Sequence, residues 1–281
     1  MKTLIIGGEG FIGQNLTNCL RQRGDAVEWS HGSILEHIPR GKWEHVFYLA
    51  GLPEPNTWGK YAVDVLRVSS EGLQNAIKIA LDSGCPLLSV SSSAIYGKAP
   101  VPMSEKSTSY LEVWSPRERY AIGKAYGEAL CMAYSEKLGL EYRIVRPFNV
   151  YGPRFRKDDT RVISNFARRG LAGQNLQVTG DGSQFRCFCY IDDFISGLLK
   201  LMEAPSKTVV NIGNPEKITI KEIAEIVAKL TNVGIEYIPR VEGDITERIP
   251  DISLISSFGW SPMVRFNEGI KRTIEWAKKN W

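Results

Sequence analysis

Residues 3–13 read TLIIGGEGFIG: an apolar run, then glycines in the spacing G-x-x-G-x-x-G. The run 3–6 is typical of a buried strand, and residues 11–22 carry apolar side chains at helical spacing. Glycines between a strand and a helix allow a tight turn and leave the N–H groups of the helix N-terminus free, which suits a pyrophosphate. Gly7, Gly10 and Gly13 therefore predict a dinucleotide site, although the commoner fingerprint is G-x-G-x-x-G.

The rest of the first 150 residues alternates short apolar runs with longer helical patterns, which is typical of an α/β fold with a doubly wound parallel sheet. Strands are predicted at 3–6, 26–30, 45–51, 86–93 and 142–147, and helices at 11–22, 60–82 and 117–138. In such a sheet, ligands bind beyond the carboxyl ends of the strands.

After Pro147 the predicted elements become shorter and more of the chain reads as loop. A helix is predicted at 219–230, where Thr219 and Glu222 form a capping box, and Asn267 is expected to cap a last helix. We therefore predict a dinucleotide-binding domain at 1–150 and a smaller α/β substrate-binding domain at 151–281. Part of 185–205 is expected to return to the first domain.

Composition excludes several classes of protein. The 35 basic and 31 acidic residues leave a charge of only +4, too small a basic excess to indicate nucleic-acid binding. No apolar stretch approaches the roughly 18 residues of a membrane helix, and no signal peptide is recognisable. Five scattered cysteines without a CxxC pair and three histidines predict no metal site. We expect a soluble, cytoplasmic globular protein.

The end of the second strand bears on the choice of cofactor. An acidic residue there usually contacts the ribose of NAD, but this strand ends in Trp29-Ser30-His31-Gly32. Glu28 lies within the strand, and Arg21, Arg23 or Arg40 could attract a 2′-phosphate. The cofactor is therefore predicted as NAD(P), with NADP plausible and NAD not excluded.

A second motif is Tyr120-Ala121-Ile122-Gly123-Lys124, in which a phenol and an ammonium lie one helical turn apart. A neighbouring cation is expected to lower the pKa of the phenol, which could then act as an acid and base while hydride is transferred. Tyr and Lys also occur at this spacing by chance. The run Ser91–Ser93 strengthens the interpretation, because a hydroxyl at a strand end could bind the same substrate oxygen; alternatively, these serines only end the strand.

Together these motifs resemble the extended short-chain dehydrogenase/reductases, in the NAD-dependent epimerase/dehydratase family that acts on nucleotide sugars. The resemblance spans nearly the whole chain and implies a Rossmann-type domain. It is carried by the glycine loop, YLAG (48–51), SSSAIYG (91–97), YAIGK (120–124), RPFNVYGPR (146–154), GDGSQFRCFCYIDD (180–193), NIGNPEKITIKEIAEI (211–226) and ERIPDISLISSFGWSP (247–262).

The resemblance also implies roles for individual residues. Ser92, Tyr120 and Lys124 look like the catalytic hydroxyl, the general acid/base and its electrostatic partner. The cofactor contacts are expected at Gly7, Gly10, Phe11, Ile12, Gly13, His31, Leu49, Ala50, Gly51, Tyr120 and Lys124. The substrate contacts are expected at Ser92, Ser93, Asn149, Arg186 and Arg248. Arginines in loops rich in glycine and proline suit a pyrophosphate, although each could also be an ordinary surface residue.

Departures from the family pattern restrict the chemistry. Dehydratases and decarboxylases of the family carry an acid in the segment occupied here by Ser93-Ala94, so the sequence favours C4 epimerisation or reduction of a 4-keto sugar. Thr179 replaces an aromatic residue near the nucleobase, and the segment 31–45 is short. The leading prediction is an NAD(P)-dependent nucleotide-sugar epimerase, with a ketoreductase as the alternative and a non-catalytic dinucleotide sensor as another. Relatives commonly form homodimers through helices matching 60–82 and 117–138.

Overall fold

A parallel six-stranded sheet forms the centre of the protein, as the alternation of the sequence predicts. The computed structural model describes residues 1–53, 57–239 and 247–281. The strands are β1 (Lys2–Ile6), β2 (Ala26–Trp29), β3 (His45–Tyr48), β4 (Leu87–Val90), β5 (Tyr142–Pro147), β6 (Val150–Tyr151), β7 (Leu176–Thr179), β8 (Phe185–Cys187), β9 (Cys189–Tyr190), β10 (Thr208–Ile212), β11 (Lys217–Thr219) and β12 (Ile235–Ile238). The central sheet has the order β10-β5-β4-β3-β1-β2.

Helices flank this sheet and also build much of the second half of the chain. They are α1 (Phe11–Gln22), α2 (Thr57–Lys60), α3 (Ala62–Arg67), α4 (Leu73–Ser83), α5 (Arg119–Leu138), α6 (Val162–Leu171), α7 (Ile191–Glu203), α8 (Ile220–Thr231), α9 (Ser253–Ser257) and α10 (Phe266–Asn280). Three two-stranded sheets, β11-β8, β12-β7 and β6-β9, complete the described architecture.

The strand order places the crevice for a ligand. The strand β1 lies between β2 and β3, so the chain leaves β1 toward one edge of the sheet and leaves β3 toward the other edge. Such a reversal opens a crevice beyond the carboxyl end of β1. The strand β2 is the edge of the sheet, whereas the Rossmann order has a further strand there. The short segment 30–44 instead buries Ile34 and Trp43.

The helix predicted at 60–82 is interrupted. The chain is helical from Ala62 to Ser83, as predicted, but a π-helical turn at Val68–Gly72, which the sequence did not indicate, lies between α3 and α4. The hydroxyl of Tyr48 donates a hydrogen bond to the carbonyl of Val68, and a Cβ on Gly72 would lie 2.7 Å from this hydroxyl. The turn also faces α5, because a Cβ on Gly123 would lie 3.0 Å from Cβ of Ser69. Glycine at both positions allows the close approach.

Two predicted strands are shorter in the structure. The third strand ends at Tyr48, and the fourth ends at Val90, with Ser93–Tyr96 forming a 3₁₀ turn. The side chain of Ser92 causes this change of direction, because its hydroxyl accepts a hydrogen bond from the backbone N–H of Ala94 at 3.0 Å and so caps the turn.

One of the two predicted helix caps in the second half is present. Thr219 and Glu222 form the capping box of α8, with both reciprocal hydrogen bonds. The prediction for Asn267 was wrong: α10 starts one residue earlier, at Phe266, and no side chain caps it. Phe266 is buried against Tyr151 and Phe188, and this packing of aromatic rings sets where the helix begins.

The second half of the chain contributes to the central sheet. The strand β10 pairs with β5, and α7 contacts α1, so parts of residues 191–212 pack with the first 150 residues. The proposed division into domains stays a prediction. Four cysteines are buried and Cys19 is partly buried; all five are free thiols. Within the described residues, no helix has both the length and the apolar character needed to cross a membrane.

Candidate active site

The glycine loop joins β1 to α1 at the carboxyl edge of the sheet. Gly7 has a left-handed backbone with φ of +88°, and a Cβ there would lie 2.8 Å from the backbone nitrogen of Ala50. A Cβ on Gly13 would lie 2.3 Å from the carbonyl oxygen of Gly7. Because Gly10, at the N-cap of α1, provides no side chain, the backbone of the first turn at Phe11 and Ile12 can meet an anion. The loop therefore fits the pyrophosphate of a dinucleotide.

The segment after β3 lies against this loop and against Lys124. The backbone of Leu49 and Ala50 is the neighbour that a Cβ on Gly7 would meet. The ammonium of Lys124 donates to the carbonyl of Val90 at 2.8 Å and to that of Ala50 at 3.5 Å. A Cβ on Gly51 would lie 3.4 Å from the same ammonium, an ordinary contact distance, so this segment passes close beside the lysine.

Ser92 and Tyr120 meet at the same edge. The Ser92 side chain forms a hydrogen bond with the Tyr120 hydroxyl, and the ammonium of Lys124 lies 5.8 Å from the centre of the Tyr120 ring. Tyr120 and Lys124 are both buried, at 8% and 7% exposure. The hydroxyl, phenol and ammonium that the sequence singled out thus occupy one place, beside the glycine loop.

The pKa of Tyr120 differs from the expectation. A lowered value through Lys124 was predicted, but burial raises the pKa of Tyr120, and the opposing effects come from the hydrogen bond with Ser92 and the charges of Arg161 and Arg248. The ammonium of Lys124 instead donates its hydrogen bonds to backbone carbonyls. The prediction was therefore wrong for the free protein, because removal of water from the phenol outweighs the neighbouring charges.

Burial acts on Lys124 in the opposite sense. It lowers the pKa of the ammonium to about 8, since the charged form loses its water, and the carboxylate of Glu128 counteracts this shift. In water the pKa values of a phenol and an ammonium are nearly equal, whereas here the pKa of the ammonium lies below that of the phenol.

Among the predicted substrate residues, Arg248 shows the clearest relation to this centre. Arg248 has a buried Nε that finds no hydrogen-bond partner within the described residues, and the charges of Glu118, Arg186 and Tyr120 act on it. Burial is the main effect and lowers the pKa of Arg248. A buried, unpaired guanidinium donor is the group that an anionic ligand satisfies.

Other predicted contacts carry structural bonds of their own. Arg186 lies on β8 and donates to the carbonyl of Phe185 at 2.8 Å, and its charge reaches Arg248. Asn149 has φ of +36° and donates its amide to the carbonyl of Cys187 at 2.9 Å. Ser93 is buried in the 3₁₀ turn, and His31 is exposed beyond β2.

The sequence reasoning missed one arginine. Arg161 precedes α6 and forms a fork with the buried carboxylate of Asp159, with Nε at 2.9 Å and 3.1 Å from the two oxygens. Its charge acts on Tyr120, although 41 residues separate them. The sequence does contain a signal for this arginine, namely the acidic pair directly before TRVISNF. One carboxylate of this pair binds the guanidinium near the start of α6.

The comparisons with known proteins agree with this geometry. The model of the NAD-dependent epimerase/dehydratase family matches residues 3–213. UDP-glucuronic acid decarboxylase 1 of Danio rerio is 33% identical over 304 residues, which cover 99% of this chain and 73% of that protein. The chain belongs to the NAD-dependent epimerase/dehydratase family. It is thereby placed among enzymes of the short-chain dehydrogenase/reductase type.

Solved structures of known proteins share the whole fold. UDP-glucose 4-epimerase of Thermotoga maritima, solved with UDP-glucose, has a TM-score of 0.87 and 26% identity, and the match covers 99% of each chain. MoeE5, solved with UDP-glucose and NAD, has a TM-score of 0.85 and 26% identity, with 99% of each chain covered. These neighbours confirm the predicted Rossmann-type α/β fold.

Substitution of Gly13 tests the glycine loop. Gly13→Ala places a methyl group 2.3 Å from the Gly7 carbonyl, so the loop must open. We expect the affinity for NAD or NADPH, measured by titration calorimetry, to fall at least about tenfold, or 1.4 kcal/mol. Gly59→Ala, with nothing within 4 Å of its Cβ, is the control and should bind as the parent does. Equal affinity in Gly13→Ala would show that the dinucleotide lies elsewhere.

Proposed function

We propose that the protein is an NAD(P)-dependent nucleotide-sugar epimerase acting at C4. The observation that carries this proposal is the hydrogen bond between Ser92 and Tyr120, formed at the sheet edge where the Lys124 ammonium also reaches the segment after β3. A sugar hydroxyl placed on this pair meets a hydroxyl that can orient it and a phenol that can take its proton.

The dinucleotide, when bound, supplies the hydride acceptor and donor. The residues that would hold it are Gly7, Gly10, Phe11, Ile12 and Gly13, together with the segment Leu49–Gly51. His31 would lie near its adenosine ribose. Because the tip of β2 carries no carboxylate to repel a 2′-phosphate, NADP is proposed alongside NAD as a cofactor.

The proton transfer is assigned to Tyr120. Ser92 donates to, or accepts from, the reacting oxygen, and the protonated Lys124 stabilises the phenolate once the proton has left the sugar. After the keto sugar turns within the site, Tyr120 would return the proton to the C4 oxygen while hydride returns to the opposite face of C4, which would complete the inversion. Turnover then needs no net oxidation, which is the difference from a reductase.

The arginines support an anionic, nucleotide-linked substrate. Arg186 and Arg248 are proposed to bind the pyrophosphate, with Asn149 and Ser93 near the sugar. Arg161 adds a further positive charge at Tyr120, which suits a hexuronate carboxylate. A UDP-sugar is the first substrate to test, because the named relatives act on or bind UDP-linked sugars.

Decarboxylation is the activity named for the curated relative, so Ala94 decides between two reactions. This side chain is buried directly after Ser93, at 6% exposure, and a methyl group can neither accept nor donate a proton. Since the family's decarboxylases and dehydratases carry an acid in this segment, we favour the epimerase. A 4-keto-sugar reductase that exchanges its cofactor is the alternative.

A product analysis separates these reactions. The purified protein is incubated with UDP-glucose, UDP-glucuronate or UDP-N-acetylglucosamine and NAD, and the products are resolved by NMR. A C4 epimer formed without net change in nicotinamide absorbance supports the proposal. Release of CO₂ and a UDP-pentose would establish a decarboxylase instead, and oxidation of added NADPH by a 4-keto sugar would establish a reductase.

Replacement of the phenol tests its role in catalysis. Tyr120→Phe retains the ring in its buried position but removes the acid and base, so we expect turnover to fall by about 10²–10⁴-fold. Dinucleotide affinity and thermal unfolding should stay close to those of the parent. Tyr126→Phe, on the exposed side of the same helix, is the control. Turnover of Tyr120→Phe near the parent rate would refute the assignment.

We further propose that two copies pair through α3 and α5. Val63, Leu66, Tyr126 and Met132 are all exposed on these two helices, which pack against each other. Such apolar side chains suit a contact between copies.

A charged substitution tests this pairing. Tyr126→Glu places a carboxylate in the proposed contact and should convert a dimer to a monomer in sedimentation velocity. Tyr237→Glu is matched in residue type and exposure, 52% against 51%, but lies on β12 and should leave the dimer intact. A monomeric parent, or a Tyr126→Glu protein that stays dimeric, would contradict the proposal.

A further inference from the structure

A buried carboxylate lies close to the proposed catalytic groups. Glu128 follows Lys124 by one turn of α5, and its side chain is 7% exposed. Arg146 on β5 donates to both of its oxygens, with Nε at 3.0 Å and Nη2 at 2.6 Å. This two-pronged contact fixes the plane of the carboxylate.

Arg146 is itself held from the far side. Its Nη1 donates to the hydroxyl of Tyr96 at 2.9 Å and to the carbonyl of Glu105 at 3.0 Å. The Tyr96 hydroxyl donates to the side-chain oxygen of Asn211 on β10, at 2.7 Å. The guanidinium therefore cannot turn away from Glu128 without breaking a chain of buried hydrogen bonds.

Glu128 also reaches the strand that leads to Ser92. The hydroxyl of Ser91 donates to Oε1 of Glu128, and the backbone N–H of Ser91 donates to Val145 on β5 at 2.8 Å. Ser91 precedes Ser92, whose side chain bonds to Tyr120 on the helix that carries Glu128. The carboxylate thus forms a second link between the end of β4 and α5, in addition to the Ser92–Tyr120 bond.

The surroundings of Lys124 make this carboxylate electrostatically important. A small cavity beside Lys124 and Glu128 is lined by Tyr48 from β3, by Ser69 from the π-helical turn, and by Ser89 and Ser91 on or next to β4. Tyr48, whose pKa burial raises to a value well above its usual one, stays neutral there. Arg146 faces Glu128 from β5. Burial raises the pKa values of Cys131 and Tyr142, and the charge of Glu128 adds to both shifts. Glu128 is the one carboxylate among the groups that line this cavity.

We propose that Glu128 is a positioning residue for the reaction, which fixes the strand end bearing Ser92 against the helix bearing Tyr120. Its charge also acts on the Lys124 ammonium, which lies one turn earlier on the same helix and lines the same cavity. The role in catalysis rests on the proposed function. The effect on Lys124 is a property of the free protein and can be measured without turnover.

The experiment follows the Lys124 ammonium and turnover in parallel. The protein is labelled with ¹³C at Cε of lysine, the Lys124 signal is assigned with Lys124→Arg, and its titration is recorded by NMR. The parent midpoint is expected near pH 8. Glu128→Gln removes the negative charge and should lower this midpoint, which the titration measures directly. The high-pH limb of kcat should move to lower pH by the same amount, because Lys124 then loses its proton earlier.

Two further variants separate charge from position. Glu128→Asp keeps the charge but shortens the reach to Ser91, and Ser91→Ala removes the hydroxyl donor alone. Both should keep the Lys124 midpoint within a few tenths of a unit while kcat falls at least about fivefold. Glu136→Gln changes an exposed carboxylate about two turns further along α5 and should leave the midpoint and kcat unchanged.

The outcomes are distinct. A Glu128→Gln protein with the parent midpoint and a kcat within twofold of the parent would overturn the proposal. If this variant does not fold, Ser91→Ala, which leaves the Glu128–Arg146 pair intact, decides the positioning role through kcat. Failure of the parent to convert any nucleotide sugar would refute the proposed function, whereas the titration would still decide whether Glu128 controls the charge of Lys124.

Discussion

The ammonium of Lys124 joins a helix to two strands of the central sheet, and the geometry of the site depends on this contact. Its donors reach the carbonyls of Val90, at the end of β4, and Ala50, just after β3. Because neighbouring parallel strands end at one edge of the sheet, one buried cation can satisfy both. Tyr120, one turn earlier on the helix, is thereby set beside the Ser92 hydroxyl.

Burial gives the site its reactivity. In water, a tyrosine phenol and a lysine ammonium have their ordinary pKa values. Here burial raises the pKa of Tyr120 and lowers the pKa of Lys124 to about 8. The charges of Arg161 and Arg248 partly oppose this rise in the pKa of the phenol. The charge of a nucleotide sugar would partly neutralise these arginines, so we infer that substrate binding and the acidity of Tyr120 are coupled.

The sequence predicted what depends on local pattern. The glycine loop, the Thr219–Glu222 capping box and the strands β1 and β5 follow from spacing and polarity, and the structure confirms them. The π-helical turn and the start of α10 at Phe266 depend on contacts with Tyr48 and Tyr151, which lie far away in the chain. Local patterns contain no information on such contacts.

The same reason explains the errors at the site. Burial sets the direction in which the pKa of Tyr120 shifts, and the sequence alone does not show how deeply this side chain is buried. The charges of Arg161 and Arg248 come from segments 41 and 128 residues further along the chain. The Glu128–Arg146 pair joins α5 to β5 in the same way. Arg161 and the Glu128–Arg146 pair, whose roles come from long-range contacts, were missed, whereas Ser92, Tyr120 and Lys124 were singled out by spacing and were found together.

The fate of the hydrogen at C4 tests the central claim most directly. A nucleotide sugar carrying deuterium at C4 is converted by the enzyme in ordinary water, and the product is examined by NMR and mass spectrometry. If hydride leaves C4 and returns to it while Tyr120 exchanges only the hydroxyl proton, the deuterium stays on C4. Loss of the label to solvent would contradict the account, because a carbon-bound proton would then have been removed by a base.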